Sequence, residues 1–149
     1  MDVLRRILLV EDDRKDVELT LTALDEYNLA NEVVVATDGE QALEYLYYRG
    51  KFMRRAPSNP AILLLDLKLP KIDGLEILQQ IENDEKLKMI PVVVLTSSRE
   101  EKDMVASYKL GVNAYVVRPV VHEFVNAIKE LGGFLAVVNE PPAGSVGKH

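Results

Sequence analysis

Four short runs of apolar residues constrain this chain more than any other feature: Ile7-Leu8-Leu9-Val10, Ile62-Leu63-Leu64-Leu65, Val92-Val93-Val94-Leu95 and Tyr115-Val116-Val117. None alternates with polar residues, so each is expected to be buried on both faces. That is the signature of parallel strands covered by helices, because a strand with one wet face alternates instead. A fifth run, Glu32-Val33-Val34-Val35-Ala36, fits an outer strand. Helical spacing separates the runs. Val17, Leu21 and Leu24 share one face, and Asp38 is placed to cap a helix whose inner side is Ala42, Leu43 and Leu46. Leu75, Leu78 and Ile81 mark a third helix, and Met104, Val105 and Tyr108 a fourth. Val121, Phe124, Val125, Ile128 and Leu131 mark a fifth. Strand then helix, five times over, predicts an α/β fold with a doubly wound, five-stranded parallel sheet, since crossovers between parallel strands are right-handed. Ligands in such folds bind beyond the carboxyl ends of the strands.

Polar residues gather at those ends. Glu11 and Asp12 follow the first strand and Asp66 follows the third, so three carboxylates converge on one rim. Close carboxylates repel unless a cation neutralises them. Hard oxygen donors suit Mg²⁺, with Mn²⁺ as a substitute. A carboxylate is also a competent phosphoryl acceptor. The fourth strand delivers the Thr96 hydroxyl to the same rim and the fifth delivers Arg118, a permanent cation. Taken singly, each is as readily a cap or turn residue, and Asp13 is expected to cap the first helix. The constellation is far more specific than its parts.

Composition narrows the field. The chain has 149 residues, 48% of them hydrophobic, which suits one domain with one core. No apolar run reaches the length of a membrane span, and the N-terminal run is too short for a signal peptide. With no cysteine there are no disulfides or thiolate metal sites, in keeping with a cytoplasmic setting. A formal net charge of −6 argues against nucleic acid as the main partner.

The motifs Ile7-Leu8-Leu9-Val10-Glu11-Asp12-Asp13, Leu65-Asp66-Leu67-Lys68-Leu69-Pro70 with Asp73-Gly74, Leu95-Thr96-Ser97 and Tyr115-Val116-Val117-Arg118-Pro119 run in order over roughly residues 5 to 131. They resemble the receiver domains of two-component response regulators, whose fold is flavodoxin-like. The resemblance implies that Asp66 accepts a phosphoryl group from a histidine kinase. It implies that Asp12 binds the metal directly, that Glu11 reaches it through water and that the backbone carbonyl of Lys68 completes the protein ligands. Thr96 matches the family's switch hydroxyl and Tyr115 its switch aromatic, which move together and reshape the face made by the fourth helix, fifth strand and fifth helix. One position departs: the family has lysine before the proline, and here it is Arg118. The charge is kept but the planar fork is not interchangeable with an ammonium. This leaves phosphoryl stabilisation and its coupling to Thr96 open.

The basic loop from Tyr47 to Pro60 and the segment Phe134 to Pro142 are similar to stand-alone regulators that partner phytochrome-type histidine kinases, so a bacteriophytochrome is one expected partner. The loop cations Arg49, Lys51, Arg54 and Arg55 are most simply solvated. Residues 1–138 are expected to form the receiver domain with a helical C-terminal extension, followed by a mobile tail over 139–149 and no output domain. Phe134 and Val137 form a second apolar stripe on that extension. Such a stripe either folds back onto its own core or marks an interface. The resemblance to the phytochrome-associated regulators, which pair through this region, implies a homodimer through the C-terminal segment. Two other functions compete. A hydrolase with an aspartyl-phosphate intermediate commonly carries a second acid two residues after the nucleophile, where this chain has Lys68. A receiver fold that no longer accepts phosphate is favoured by Arg118 and opposed by the intact acids.

Overall fold

The computed structural model describes residues 6–26, 33–55, 58–97 and 100–117. Five strands, β1 (Ile7–Val10), β2 (Val33–Ala36), β3 (Ile62–Leu65), β4 (Val92–Thr96) and β5 (Ala114–Val117), form one parallel sheet. Their order is β2-β1-β3-β4-β5. Four helices alternate with them: α1 (Arg14–Glu26), α2 (Gly39–Leu46), α3 (Gly74–Glu82) and α4 (Glu101–Lys109). Arg118, Pro119, the fifth helix, the extension with Phe134 and Val137, and the tail over 139–149 lie outside the described residues.

The apolar runs become strands because each can bury both sides. Every residue of β1, β3 and β4 is buried. Alternate side chains feed two separate cores. Leu8, Val10, Leu63, Leu65, Val92 and Val94 pack with Leu43 and Leu46 of α2 and Ile77, Leu78 and Ile81 of α3. Ile7, Leu9, Ile62, Leu64, Val93 and Leu95 pack on the other face with Ala23 and Leu24 of α1. Each such Leu or Ile contributes roughly 1.5–3 kcal/mol on burial. The helix starts follow from local chemistry. Asp13 Oδ1 accepts from the Asp16 amide at 3.1 Å and Asp38 Oδ1 from the Gln41 amide at 2.8 Å. The Asp73 amide donates to Glu76 Oε1 at 3.3 Å at the start of α3. No helix among the described residues is long and apolar enough to cross a membrane.

Three features depart from or add to these expectations. First, β5 is not a central strand; it is an edge, and only Val116 of its four residues is fully buried. Second, α4 forms but its apolar stripe faces outward: Met104, Val105 and Tyr108 are 39%, 44% and 49% exposed. The inward positions belong to Asp103 and Ser107, 4% and 0% exposed. The Ser107 hydroxyl finds no hydrogen-bond partner among the described residues, a loss of about 1–3 kcal/mol for a buried donor. Third, Arg55 is not simply solvated. Its guanidinium lies between the rings of Tyr45 and Tyr48, 3.9 and 4.1 Å from their centroids. It donates to the carbonyls of Tyr45 at 2.7 Å and Ser58 at 2.9 Å, so it anchors the loop after α2. Arg49, Lys51 and Arg54 are exposed, though Arg49 lies over the Tyr47 ring at 4.9 Å and Lys51 over the Phe52 ring at 5.2 Å.

Candidate metal and phosphoacceptor site

The site is built by register. Val10 pairs with Leu65, so the residues that follow them, Glu11 and Asp66, leave the sheet side by side. The Asp66 amide donates to the Val10 carbonyl at 3.0 Å and the Glu11 amide to the Ala36 carbonyl at 3.0 Å, which fixes both backbones. One carboxylate oxygen from each of Glu11, Asp12 and Asp66 lies within 4.8 Å of the others. Their environments differ. Glu11 is 1% exposed, Asp66 half-buried and Asp12 exposed. Glu11 Oε2 accepts from the Asp13 amide at 3.0 Å, which orients it. A nearly buried carboxylate beside two others is unfavourable without a compensating cation. The donor set, all oxygen and open to solvent on the Asp12 side, fits a small divalent ion.

Thr96 ends β4 and is fully buried at the same rim. Thr96 pairs with Val117 and Val94 with Tyr115. Side chains two apart return to one face of the sheet, so Thr96 and Tyr115 lie diagonally on the same side. Tyr115 is half-buried and packs against the core that covers α2 and α3. Arg118, the remaining expected site residue, lies outside the described residues.

The loop from Leu67 to Asp73 frames Asp66 and is held at several points. Gly74 opens α3 so close to the preceding backbone that a Cβ there would lie 2.6 Å from the Asp66 carbonyl oxygen and 2.6 Å from Leu67 Cα. The Gly74 amide closes the loop on the Leu67 carbonyl at 2.9 Å. Lys71 adopts a left-handed conformation, φ 68°, and its ammonium reaches Glu40 at 3.2 Å and Asp38 at 3.6 Å. Glu40 first, then Asp38, raises the Lys71 pKa. Lys68 points its amide at Asp66 Oδ1, 3.4 Å away, and its ammonium at Asp103 Oδ2 of α4, 3.5 Å away. Sequence reasoning placed Lys68 by its carbonyl alone and missed both lysine contacts. No spacing signal marks them, because the partners come from α2 and α4, far off in sequence.

Comparison with known proteins identifies the family. The model of the response regulator receiver domain matches residues 7–129. Response regulator Rcp1 of Synechocystis sp. is 43% identical over 112 residues, covering 75% of each chain. The solved bacteriophytochrome response regulator RtBRR is 60% identical with a TM-score of 0.83, covering 96% of this chain and 87% of its own. The Mn²⁺-bound form of Rcp1 has a TM-score of 0.73 at 40% identity, with 83% and 88% of the two chains covered. The phosphorylated cyanobacterial phytochrome response regulator RcpA has a TM-score of 0.76 at 37% identity, with 95% and 100% covered. The chain thus belongs to the response regulator receiver domains of two-component signalling, which work with histidine kinases through an aspartyl phosphate.

Proposed function

We propose that Asp66 is the residue phosphorylated, with Mg²⁺ as the working ion, and that the phosphodonor is a phytochrome-type histidine kinase. The observation that carries this reading is the convergence of Glu11, Asp12 and Asp66 within 4.8 Å at the carboxyl edge of the sheet. Asp12 would bind the ion directly, Glu11 through water and Lys68 through its carbonyl. The bound ion would supply neutralisation of the charge on the transferring group. In the transfer itself an Asp66 carboxylate oxygen forms the new bond to phosphorus as the bond from phosphorus to the kinase histidine breaks. Little else is required of the protein beyond positioning. Thr96 would donate its hydroxyl to a phosphoryl oxygen, with Tyr115 following on the same face, and Arg118 would supply the remaining cation. The likeness to RtBRR and to RcpA supports a phytochrome-type partner. The apolar stripe of Phe134 and Val137 supports a homodimer through the C-terminal segment, and the absence of cysteine fits a cytoplasmic protein.

Intact-protein mass after incubation with acetyl phosphate and Mg²⁺ tests the chemistry. One phosphoryl adduct is expected on the wild type and none on Asp66→Asn, because an amide is not a nucleophilic carboxylate. An adduct of equal yield on Asp66→Asn would assign the phosphorylation elsewhere. Sedimentation of the full chain and of a chain ending at Leu131 tests the dimer, which is lost in the shorter chain if the reading holds.

A further inference from the structure

We infer that Lys68 is a positioning residue whose ion pair with the buried Asp103 ties the metal and phosphoacceptor site to helix α4. The inference rests on the proposed reading of Glu11, Asp12 and Asp66 as that site. It begins with α4, which is built the wrong way round for a helix seated by apolar burial. Met104, Val105 and Tyr108 face solvent, while Asp103 and Ser107 face inward. A carboxylate with 6% of its side chain exposed is expensive to bury without a compensating charge. Lys68 Nζ, at 3.5 Å, supplies one. The inward face of α4 thus carries a polar contact with the loop that leaves Asp66.

Lys68 is suited to carry a signal because its three polar parts point three ways. Its amide faces Asp66 Oδ1 at 3.4 Å, longer than the ordinary 2.9–3.0 Å of such a bond. Its carbonyl is the expected backbone ligand of the ion. Its ammonium holds Asp103. The far end of the same loop is fixed to the start of α2, by Lys71 on Asp38 and Glu40 and by the Gly39 amide on the Pro70 carbonyl. Leu67 is buried and its carbonyl accepts from the Gly74 amide at 2.9 Å, so Lys68 is the exposed link between two held points. Drawing the Lys68 peptide toward an occupied site moves the anchor of α4. By linkage, holding α4 in place assists occupancy by the same factor.

The full-length protein tests this with Mn²⁺ alone, free ion being followed by electron paramagnetic resonance. Lys68→Gln and Asp103→Asn are each expected to weaken Mn²⁺ binding about fivefold, the lower end of couplings between linked sites. The double variant is expected to be no weaker than either single one. Lys68→Arg, which keeps the charge, is expected to stay near wild type. The Lys68 side chain is 58% exposed, so Lys68→Gln folds and decides the matter even if Asp103→Asn does not. A second readout reports α4 directly. The chain has no tryptophan, so Tyr108→Trp places a sole indole on the exposed side of α4. Saturating Mg²⁺ is expected to shift its emission, and Lys68→Gln to abolish that shift. A lowered melting midpoint with unchanged Mn²⁺ affinity and an unchanged indole shift would make the pair merely structural and overturn the inference. Failure of the wild type to bind Mn²⁺ at all would instead overturn the reading of the site, and the inference with it.

Discussion

Substituting Gly74 by alanine tests whether the start of α3 positions Asp66. A Cβ at Gly74 would meet the Asp66 carbonyl oxygen at 2.6 Å, Leu67 Cα at 2.6 Å and the Leu67 carbonyl oxygen at 3.1 Å. Carbon atoms in good contact sit about 3.5–4.0 Å apart, so something must give by about 1 Å. All three atoms are backbone, and no side chain can rotate away. Overpacking of this kind costs about 1–3 kcal/mol, and the helix propensity gained from alanine offsets at most about 1 kcal/mol of it. The net loss of about 1–2 kcal/mol corresponds to a drop of roughly 3–6 °C in melting midpoint for a domain of this size. The chemistry suffers more, because the displaced carbonyl belongs to Asp66 itself. A misplacement of about 1 Å at a reacting group can cost on the order of 10²-fold in rate. Thermal melts in EDTA and time-resolved intact mass with acetyl phosphate measure the two effects. Gly111→Ala is the control. It forces a φ of 89° on a side chain, but its Cβ would meet only the movable Glu82 carboxylate at 3.0 Å, away from the site. It should lower stability and leave the phosphorylation rate alone. If Gly74→Ala loses stability yet phosphorylates at the wild-type rate, the close contact does not position Asp66.

Other changes have equally definite outcomes. Asp12→Asn removes one of three crowded carboxylates, so thermal melts should show a metal-free protein slightly more stable than wild type and no longer raised in midpoint by Mg²⁺. Ser107→Ala should gain about 1 kcal/mol in urea unfolding, since a buried hydroxyl without a partner is replaced by a better helix former. Arg55→Ala should lose roughly 2–3 kcal/mol in urea unfolding, with two ring contacts and two carbonyl acceptors abandoned, while Mn²⁺ binding stays unchanged. Asp84 has a lowered pKa because the amides of Leu87 and then Lys86 donate to its carboxylate. Its contribution is therefore present above the ordinary carboxylate pKa of about 3.9 and lost as pH falls through the lower folded value. The stability gap between wild type and Asp84→Asn, followed by urea melts, should close over that acid window and stay constant above it.

Much of this architecture was legible because strands and caps are local. Ile7–Val10, Ile62–Leu65 and Val92–Leu95 had to be strands buried on both sides, and Asp13 and Asp38 are capping residues placed just ahead of helical spacing. The acids Glu11, Asp12 and Asp66 could be gathered on one rim because parallel strands end on the same edge. What escaped was long-range. Met104, Val105 and Tyr108 are spaced for a helix, but periodicity does not say which side of a helix faces inward. Asp103 and Ser107 hold the inner positions, and the lysine that meets Asp103 comes across from another loop, where no local pattern signals it. The edge position of β5 depends on strand order, which a run of three apolar residues does not encode. Arg55 looked like one more surface cation because its tyrosine partners come together only when the loop folds back on α2.

The anchored loop after α2 precedes β3 and so lies at the amino end of the strands, the opposite pole from the carboxylates. It contains Met53, 66% exposed. The chain has no cysteine, so Met53→Cys creates a single thiol at a place where Arg55 keeps the backbone still. A protein tethered to a surface through that thiol presents its acidic rim outward. Docking of a kinase on an immobilised layer then becomes measurable in one orientation, with the attachment chemistry and the phosphorylation chemistry separated by the full height of the sheet.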